Sequence, residues 1–351
     1  MIKCLKNKKE ESKISEIEFD LNILDEFEKT LNTINPENSK IPIKILGFGE
    51  ISLVFEILDE KHRGIAIKRL PIFDNEKQVL QHIKAYNEYK KILIEKIGLN
   101  IPEQDTCYVP TYNKKGKQIK NRYSLFCMQR KVDPRTIANN LIHKLNDEQV
   151  LLLSKIIMRE LFKVWNFNYN SLINQNEKEK IIVGLDGQIS NWAVLDIDPD
   201  NPAINENSKL LYLDTSTPLF RINGVEQIEP ELFLKSAPIL IRLLLKLLFL
   251  KEVVDRYYDL RLVIIDFVAN FYKEQKSEVI PILIEQINFI LNSEVEHLKI
   301  KPLNEKEIAD YYKNDKKIWI IFQNMRRLDS WITTKILRKR YNFYLPPKIK
   351  R

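Results

Sequence analysis

The sequence predicts an α+β chain of two lobes, a small β-rich N-lobe followed by a mainly helical C-lobe. Three observations carry this. The chain has 351 residues, more than the ~100–200 residues of a usual single domain. Strand-like runs cluster between Ile41 and Gln129, broken by one long amphipathic pattern. From Thr136 onward the apolar spacing is mostly helical, with a few short strand-like runs. At 44% apolar and 30% charged, the composition is that of a globular chain with ample material for a core.

Residues 1–13 are Lys/Glu-rich and lack the apolar segment of a signal peptide, which predicts a frayed start and a cytoplasmic chain. Leu24, Phe27 and Leu31 recur at helical spacing, and Pro36 closes that helix. Residues 1–40 therefore read as an N-terminal extension. From Ile41 the run K-I-L-G-F-G-E-I-S-L-V-F-E-I-L reads as two strands around a turn, and Gly64 to Leu70 as a third strand. A helix is expected from Glu76 to Ile97, then a hairpin from Tyr108 to Gln129 that turns at K-K-G-K. The N-lobe is bounded at 41–130, with a hinge near Met128 to Val132. Thr136 to Phe167 reads as helix. Lys180 to Val183, Trp192 to Leu195 and Leu210 to Leu213 read as strands, and everything after Pro230 as helix up to a basic tail. The C-lobe is bounded at 131–315 and the tail at 316–351.

Several function classes are disfavoured at this level. The most apolar stretch, Ala237 to Leu250, is shorter than the ~20 residues a bilayer span needs. Arg242 and Lys246 share one face of it, so it reads as a mostly buried helix with one solvent stripe and no membrane span. Cys4, Cys107 and Cys127, and His62, His82, His143 and His297, lack the spacing of a disulfide framework or a zinc site. Asp196-Ile197-Asp198-Pro199-Asp200-Asn201 starts like a calcium loop but lacks the sixth-place glycine and the twelfth-place glutamate, so a solvated hairpin is expected. The net charge of +8 is concentrated at one end: Lys316 to Arg351 holds eleven Lys/Arg and one acid. Arg338-Lys339-Arg340-Tyr341-Asn342-Phe343-Tyr344 interleaves cations and aromatics, as binders of single-stranded nucleic acid do, which makes nucleic-acid contact through 316–351 an expectation. The plainer alternative is a solvated terminal helix.

The chain has only eight glycines, and five fall in three short motifs. Gly47-Phe48-Gly49-Glu50-Ile51-Ser52-Leu53-Val54 lies between two strands, where glycines let backbone N–H groups approach phosphate oxygens. The element after this turn is a strand and not a helix, so this is no dinucleotide fingerprint. Lys68, in Ile65-Ala66-Ile67-Lys68, stands about twenty residues further on, on the face opposite Ile65 and Ile67. A partner acid is expected on the next helix; Glu76, Glu88 and Glu95 are candidates, and Glu88 is preferred for its mid-helix position. Asp186 and Asn191 bracket a four-residue loop between two strands, the D-x-x-x-x-N spacing in which the aspartate orients a substrate hydroxyl and the asparagine binds magnesium. Asp214 follows an apolar strand directly, the position of a main magnesium ligand.

From about Ile41 to Tyr272 this ordered series resembles the protein-kinase-like superfamily, and within it the aminoglycoside- and choline-kinase branch. The resemblance implies a two-lobed protein-kinase-like fold using ATP and Mg²⁺. Gly47, Gly49 and Ser52 would form the phosphate-covering loop, and Lys68, held by Glu88, would bind the phosphates. Adenine would contact backbone around Met128 to Arg130. Asp186 would be the catalytic aspartate, with Asn191 and Asp214 holding magnesium. There are departures. Gly184-Leu185 stands before the catalytic aspartate in place of a His-Arg or His-Gly pair, and Thr215-Ser216 comes after the metal aspartate in place of Phe-Gly. Leu185 cannot bind a phosphate, which argues against control by activation-loop phosphorylation. About fifteen residues separate Asp214 from Pro230, little platform for a protein substrate. A small hydroxyl-bearing acceptor is therefore expected, with a catalytically inactive nucleotide-binding or scaffolding protein as the alternative.

Overall fold

A computed structural model describes residues 17, 19–49, 51–176, 178–237 and 254–346. The expected frayed segment 1–13 and nearly all of the apolar run from Ala237 to Leu250 lie outside these residues.

The first portion is built on one antiparallel sheet. Strands β1 (Ile43–Phe48), β2 (Leu53–Ile57), β3 (Ile65–Phe73), β4 (Gln104–Tyr112) and β5 (Gln118–Arg130) lie in the order β1-β2-β3-β5-β4. The β4–β5 hairpin turns at 113–117, as K-K-G-K predicts, with Gly116 at a φ of +67°. Side chains alternate across a sheet, so odd and even residues of one strand face opposite layers. Ile65 and Ile67 of β3, with Phe126 and Met128 of β5, face helix α1 (Leu21–Thr30), whose Leu24 and Phe27 are buried there. Leu70, Leu125 and Cys127 face helix α2 (Glu76–Lys91), which is capped by Asn75 accepting from the Gln78 N–H. Lys68 shares that second face, opposite Ile65 and Ile67. Helix α2 widens into a π-helical turn, Ile92–Ile97, and stops at Gly98, whose φ of +80° only glycine takes freely.

Both ends of the described chain pack on the sheet. Residues 17–40 are no separate extension: Ile17, Leu24, Phe27 and Leu31 complete the core on one face of the sheet, because that face would otherwise be bare. Residues 316–346 are no free tail either. Their first part continues the last long helix, and the remainder returns to the sheet, where Tyr341 is buried and Phe343 and Tyr344 pack against the two sheet cores.

The second portion is mainly helical. The single helix expected from Thr136 is interrupted: a short α3 (Ala138–Leu141) is followed by α4 (Asp147–Ile173). Asn146 causes the restart, since its side chain accepts from the Gln149 N–H and caps α4. Strands β6 (Ile181–Val183), β7 (Trp192–Val194) and β8 (Leu210–Tyr212) fall where expected, and β7 pairs with β8. The connection between them is the expected solvated one, with exposed Asp200 meeting Arg135 at 2.6 Å. An additional hairpin, β9 (Phe220–Ile222) and β10 (Val225–Glu226), turns at Asn223-Gly224 and lies against β6. Both turn residues have positive φ, the geometry Asn-Gly supplies. Helices α5 (Leu260–Lys273), α6 (Ile280–Glu294) and α7 (Glu305–Trp331) complete the portion. Their core also takes in Ala85, Tyr89, Ile92 and Leu93, so α2 and its continuation pack against both portions.

Candidate functional site

The site lies where the second face of the sheet meets the β6–β8 region. β3 offers Lys68 from the α2 side of the sheet, and Asp214 leaves the end of β8. Lys68 Nζ donates to Asp214 Oδ1 at 2.8 Å, a contact between residues 146 apart in sequence. Both side chains remain about one-quarter exposed, so the pair is open to a ligand. The Ser216 hydroxyl also donates to Asp214 Oδ1, at 2.9 Å. Burial raises the Asp214 pKa, but the Lys68 ammonium and the bonds from Ser216 outweigh it and hold the group below the usual carboxylate range.

Asp186 and Asn191 lie on the loop from β6 to β7. This loop is tied to the strand leading to Asp214. Asn191 Nδ2 donates to the Asp186 carbonyl at 3.1 Å, the Tyr212 hydroxyl donates to the same carbonyl at 3.2 Å, and the Leu213 N–H donates to the Asn191 carbonyl at 2.8 Å. Gly187 allows the loop to sit on α5: a Cβ there would lie 2.5 Å from Val263 Cγ1. Burial, then the charges of Asp266 and Asp214, push the half-buried Asp186 carboxyl up to about 7. Behind it stands a polar group the sequence did not single out. Arg256 meets Asp266 at 3.2 Å, and Tyr311 donates to Asp266 at 2.9 Å.

The other expected residues are placed less simply. Gly47 sits at a bulge between β1 and β2, with open space where its Cβ would be. The Gly49 N–H donates to the Ser52 carbonyl at 3.1 Å, closing the hairpin loop. Ser52 is buried, and its Oγ lies 2.8 Å from where a Gly49 Cβ would be, so the hydroxyl packs under the loop. Met128 is inside the sheet: its side chain belongs to the α1-facing core and its backbone pairs with Ile67 and Asp105. The ladder ends at Arg130, and Lys131 is pinned by its N–H to the Gly64 carbonyl and by its ammonium to Glu56. The connection between portions is therefore nearer Val132 and Asp133 than Met128. Glu88 is half-buried, and the partner of Lys68 is Asp214 and not Glu88.

Helix α2 reaches the site by other means. His82 Nε2 lies 3.1 Å from the Ser216 carbonyl. Burial holds the His82 pKa down at about 4, so the ring is neutral and Nε2–H is the donor. The Tyr86 hydroxyl and the Thr215 hydroxyl both donate to Gln104 Oε1, at 2.5 and 2.6 Å, and the Tyr89 hydroxyl donates to the Gly184 carbonyl at 2.9 Å. The segment after Asp214 is thus fastened to α2 by hydroxyl groups. Ser216 was legible as a short polar side chain two residues from a carboxylate; the Tyr86–Gln104–Thr215 cluster has no local signal.

Among the described residues, no group of three or more His, Cys, Asp or Glu side chains is placed to hold a metal by itself. No helix among them is long and apolar enough to cross a membrane. Of the aromatics in the Arg338 to Tyr344 motif, Tyr341 is buried, and Phe343 and Tyr344 are partly buried against the sheet. Residues 35–330 match the model of a protein family described as a family of unknown function, DUF6206. Comparison with curated proteins finds no match.

Proposed function

The chain belongs to the DUF6206 family, and from the geometry of its site we propose an ATP- and Mg²⁺-dependent phosphotransferase of protein-kinase-like fold. Its acceptor would be a small hydroxyl-bearing molecule. The observation that carries this reading is the 2.8 Å bond between Lys68 and Asp214. It joins the lysine of the third strand to the carboxylate after β8, beside the loop that holds Asp186 and Asn191. A five-stranded antiparallel sheet with a helix between its third and fourth strands supports the fold assignment.

Lys68 would bind phosphate oxygens, and the open backbone at Gly47 would approach them. Asn191 and Asp214 offer an amide oxygen and an ionised carboxylate, the oxygen donors Mg²⁺ takes when phosphates complete its shell. Bound there, the ion would neutralise charge on the phosphates. Asp186 would orient the acceptor hydroxyl and accept its proton, a task suited to a carboxyl pushed up to about 7. The rate would come mainly from positioning. The short β9–β10 hairpin between Asp214 and Pro230 leaves little platform for a protein substrate.

A second reading is a nucleotide-binding protein without turnover. It is favoured by Glu88 not being the partner of Lys68, and by buried Leu185 beside Asp186. Calorimetry with Mg-ATP, followed by phosphate release across a metabolite panel, separates the two. Binding and turnover, both lost in Asp214→Asn, support the phosphotransferase. Binding without turnover supports the second reading, and absence of binding removes both.

A further inference from the structure

We infer that the outward face of α7 docks on an anionic lipid bilayer surface. The inward face of this helix is accounted for: Ile308, Gln323 and Arg326 are buried, and Arg326 and Arg327 donate to the carbonyls of Tyr344 and Pro346. The outward face carries a set of large apolar side chains. Ile318, Ile321, Leu328 and Trp331, with Ile336 in the π-helical turn beyond it, are each more than half exposed. Their spacings of three, seven, three and five place them on one side of the helix. Exposed large apolar side chains are normally scattered singly, and a contiguous set marks a contact surface.

Charge selects the occupant. Between Lys316 and Arg340 the sequence has eight Lys/Arg and a single acid, Asp329. Of these cations Lys317, Lys335, Arg338 and Lys339 are exposed. Two copies meeting through this face would bring their cations together, which like-charge repulsion opposes. A negatively charged surface attracts all four at once. Trp331 lies one turn from Lys335, and Arg338 follows just beyond the π-helical turn, so an indole, aliphatic side chains and cations are gathered at one end. That is the pattern of a helix lying in the plane of a lipid–water interface, with its apolar side among acyl chains and its cations at the headgroups. The helix would lie on the bilayer, since no described helix is suited to crossing one. The return of residues 340–346 to the sheet anchors this helix to the body of the protein, so docking would carry the whole chain to the surface.

The full-length chain is to be sedimented with phosphatidylcholine vesicles and with vesicles also containing phosphatidylglycerol, at low and high salt. Expected is binding to the anionic vesicles alone, weakened at least about tenfold by high salt. Two variants separate the contributions: Leu328→Ser/Trp331→Ser/Ile336→Ser removes apolar contact, and Lys335→Glu/Arg338→Glu/Lys339→Glu removes charge. Both are expected to lose vesicle binding while keeping the wild-type melting curve. Equal binding to neutral vesicles, or no binding to either, overturns the inference. So does a concentration-dependent dimer in ultracentrifugation that the apolar variant abolishes, because the face would then belong to a second copy.

Discussion

Arg340, near the end of the chain, and Glu28, in its first helix, form a buried ion pair at 3.1 Å. Arg69 of β3 reaches the same carboxylate through two bonds of 2.6 and 2.7 Å. Arg340 also donates to the carbonyls of Glu28 and Tyr112, and Arg69 to that of Asn342. The Thr33 hydroxyl donates to the Tyr341 carbonyl. One carboxylate thus binds the first helix, the sheet and the returning segment together.

Removing that carboxylate leaves two buried guanidinium groups without a counter-charge. Glu28→Gln is therefore expected to cost about 3–5 kcal/mol, the range for breaking a buried pair from one side. Arg340→Met leaves Glu28 paired with Arg69 and is expected to cost distinctly less. Urea midpoints of the two variants check this; equal losses would mean that Arg69 does not hold Glu28 as described.

Asp186 couples stability to pH. Its folded pKa of about 7 lies above the unfolded value of 3.8, so between these limits the native state holds the extra proton. The stabilisation is full below about pH 4 and is lost as pH rises through 7. Asp186→Asn cannot ionise, so its stability is expected to gain on wild type between pH 5 and pH 8, by roughly 1–3 kcal/mol. Melting curves of the two proteins that shift in parallel across that range would count against a buried, carboxylate-crowded Asp186.

Gly187 is needed for close approach, with no positive φ involved. A Cβ at this position would lie 2.5 Å from Val263 Cγ1. Gly187→Ala is expected to destabilise by about 1–3 kcal/mol through overpacking. The second change Val263→Ala, which removes the clashing methyl, is expected to recover part of that loss. A double-mutant cycle measures this, and additive effects would refute the contact.

Much of this architecture is legible in the sequence because its signals are local. Strand alternation places Lys68 on the face opposite Ile65 and Ile67, and D-x-x-x-x-N spacing between strands puts Asp186 and Asn191 on one loop. The Asn223-Gly224 turn is equally local, but its flanks, Phe220-Arg221-Ile222 and Val225-Glu226, are too short to show a strand pattern. Pairing across long separations leaves no local trace. In the basic run of Arg338 to Tyr344, nothing local shows that Arg340 faces Glu28, about 310 residues earlier. In the same way Glu88 has the right helix and chemistry for Lys68, but the helix presents Tyr86 and His82 towards the segment after Asp214. Periodicity gives the buried face of a helix, not the neighbours it meets.

His82 supplies a pH dependence of the opposite sign. Its folded pKa of about 4 lies below the usual 6.5, so between these values the unfolded chain binds the extra proton. Stability from His82 is full above about pH 6.5 and declines as pH falls towards 4. Asp186 gains stability over much of the same window, so the two largely offset each other in the wild-type chain. His82→Gln removes this titration and is expected to lose stability at pH 7, where the bond to the Ser216 carbonyl is gone. Its deficit against wild type should shrink by roughly 1–3 kcal/mol between pH 7 and pH 4.5. Denaturant titrations of both proteins at these pH values check it, and a constant deficit would place the acid sensitivity elsewhere.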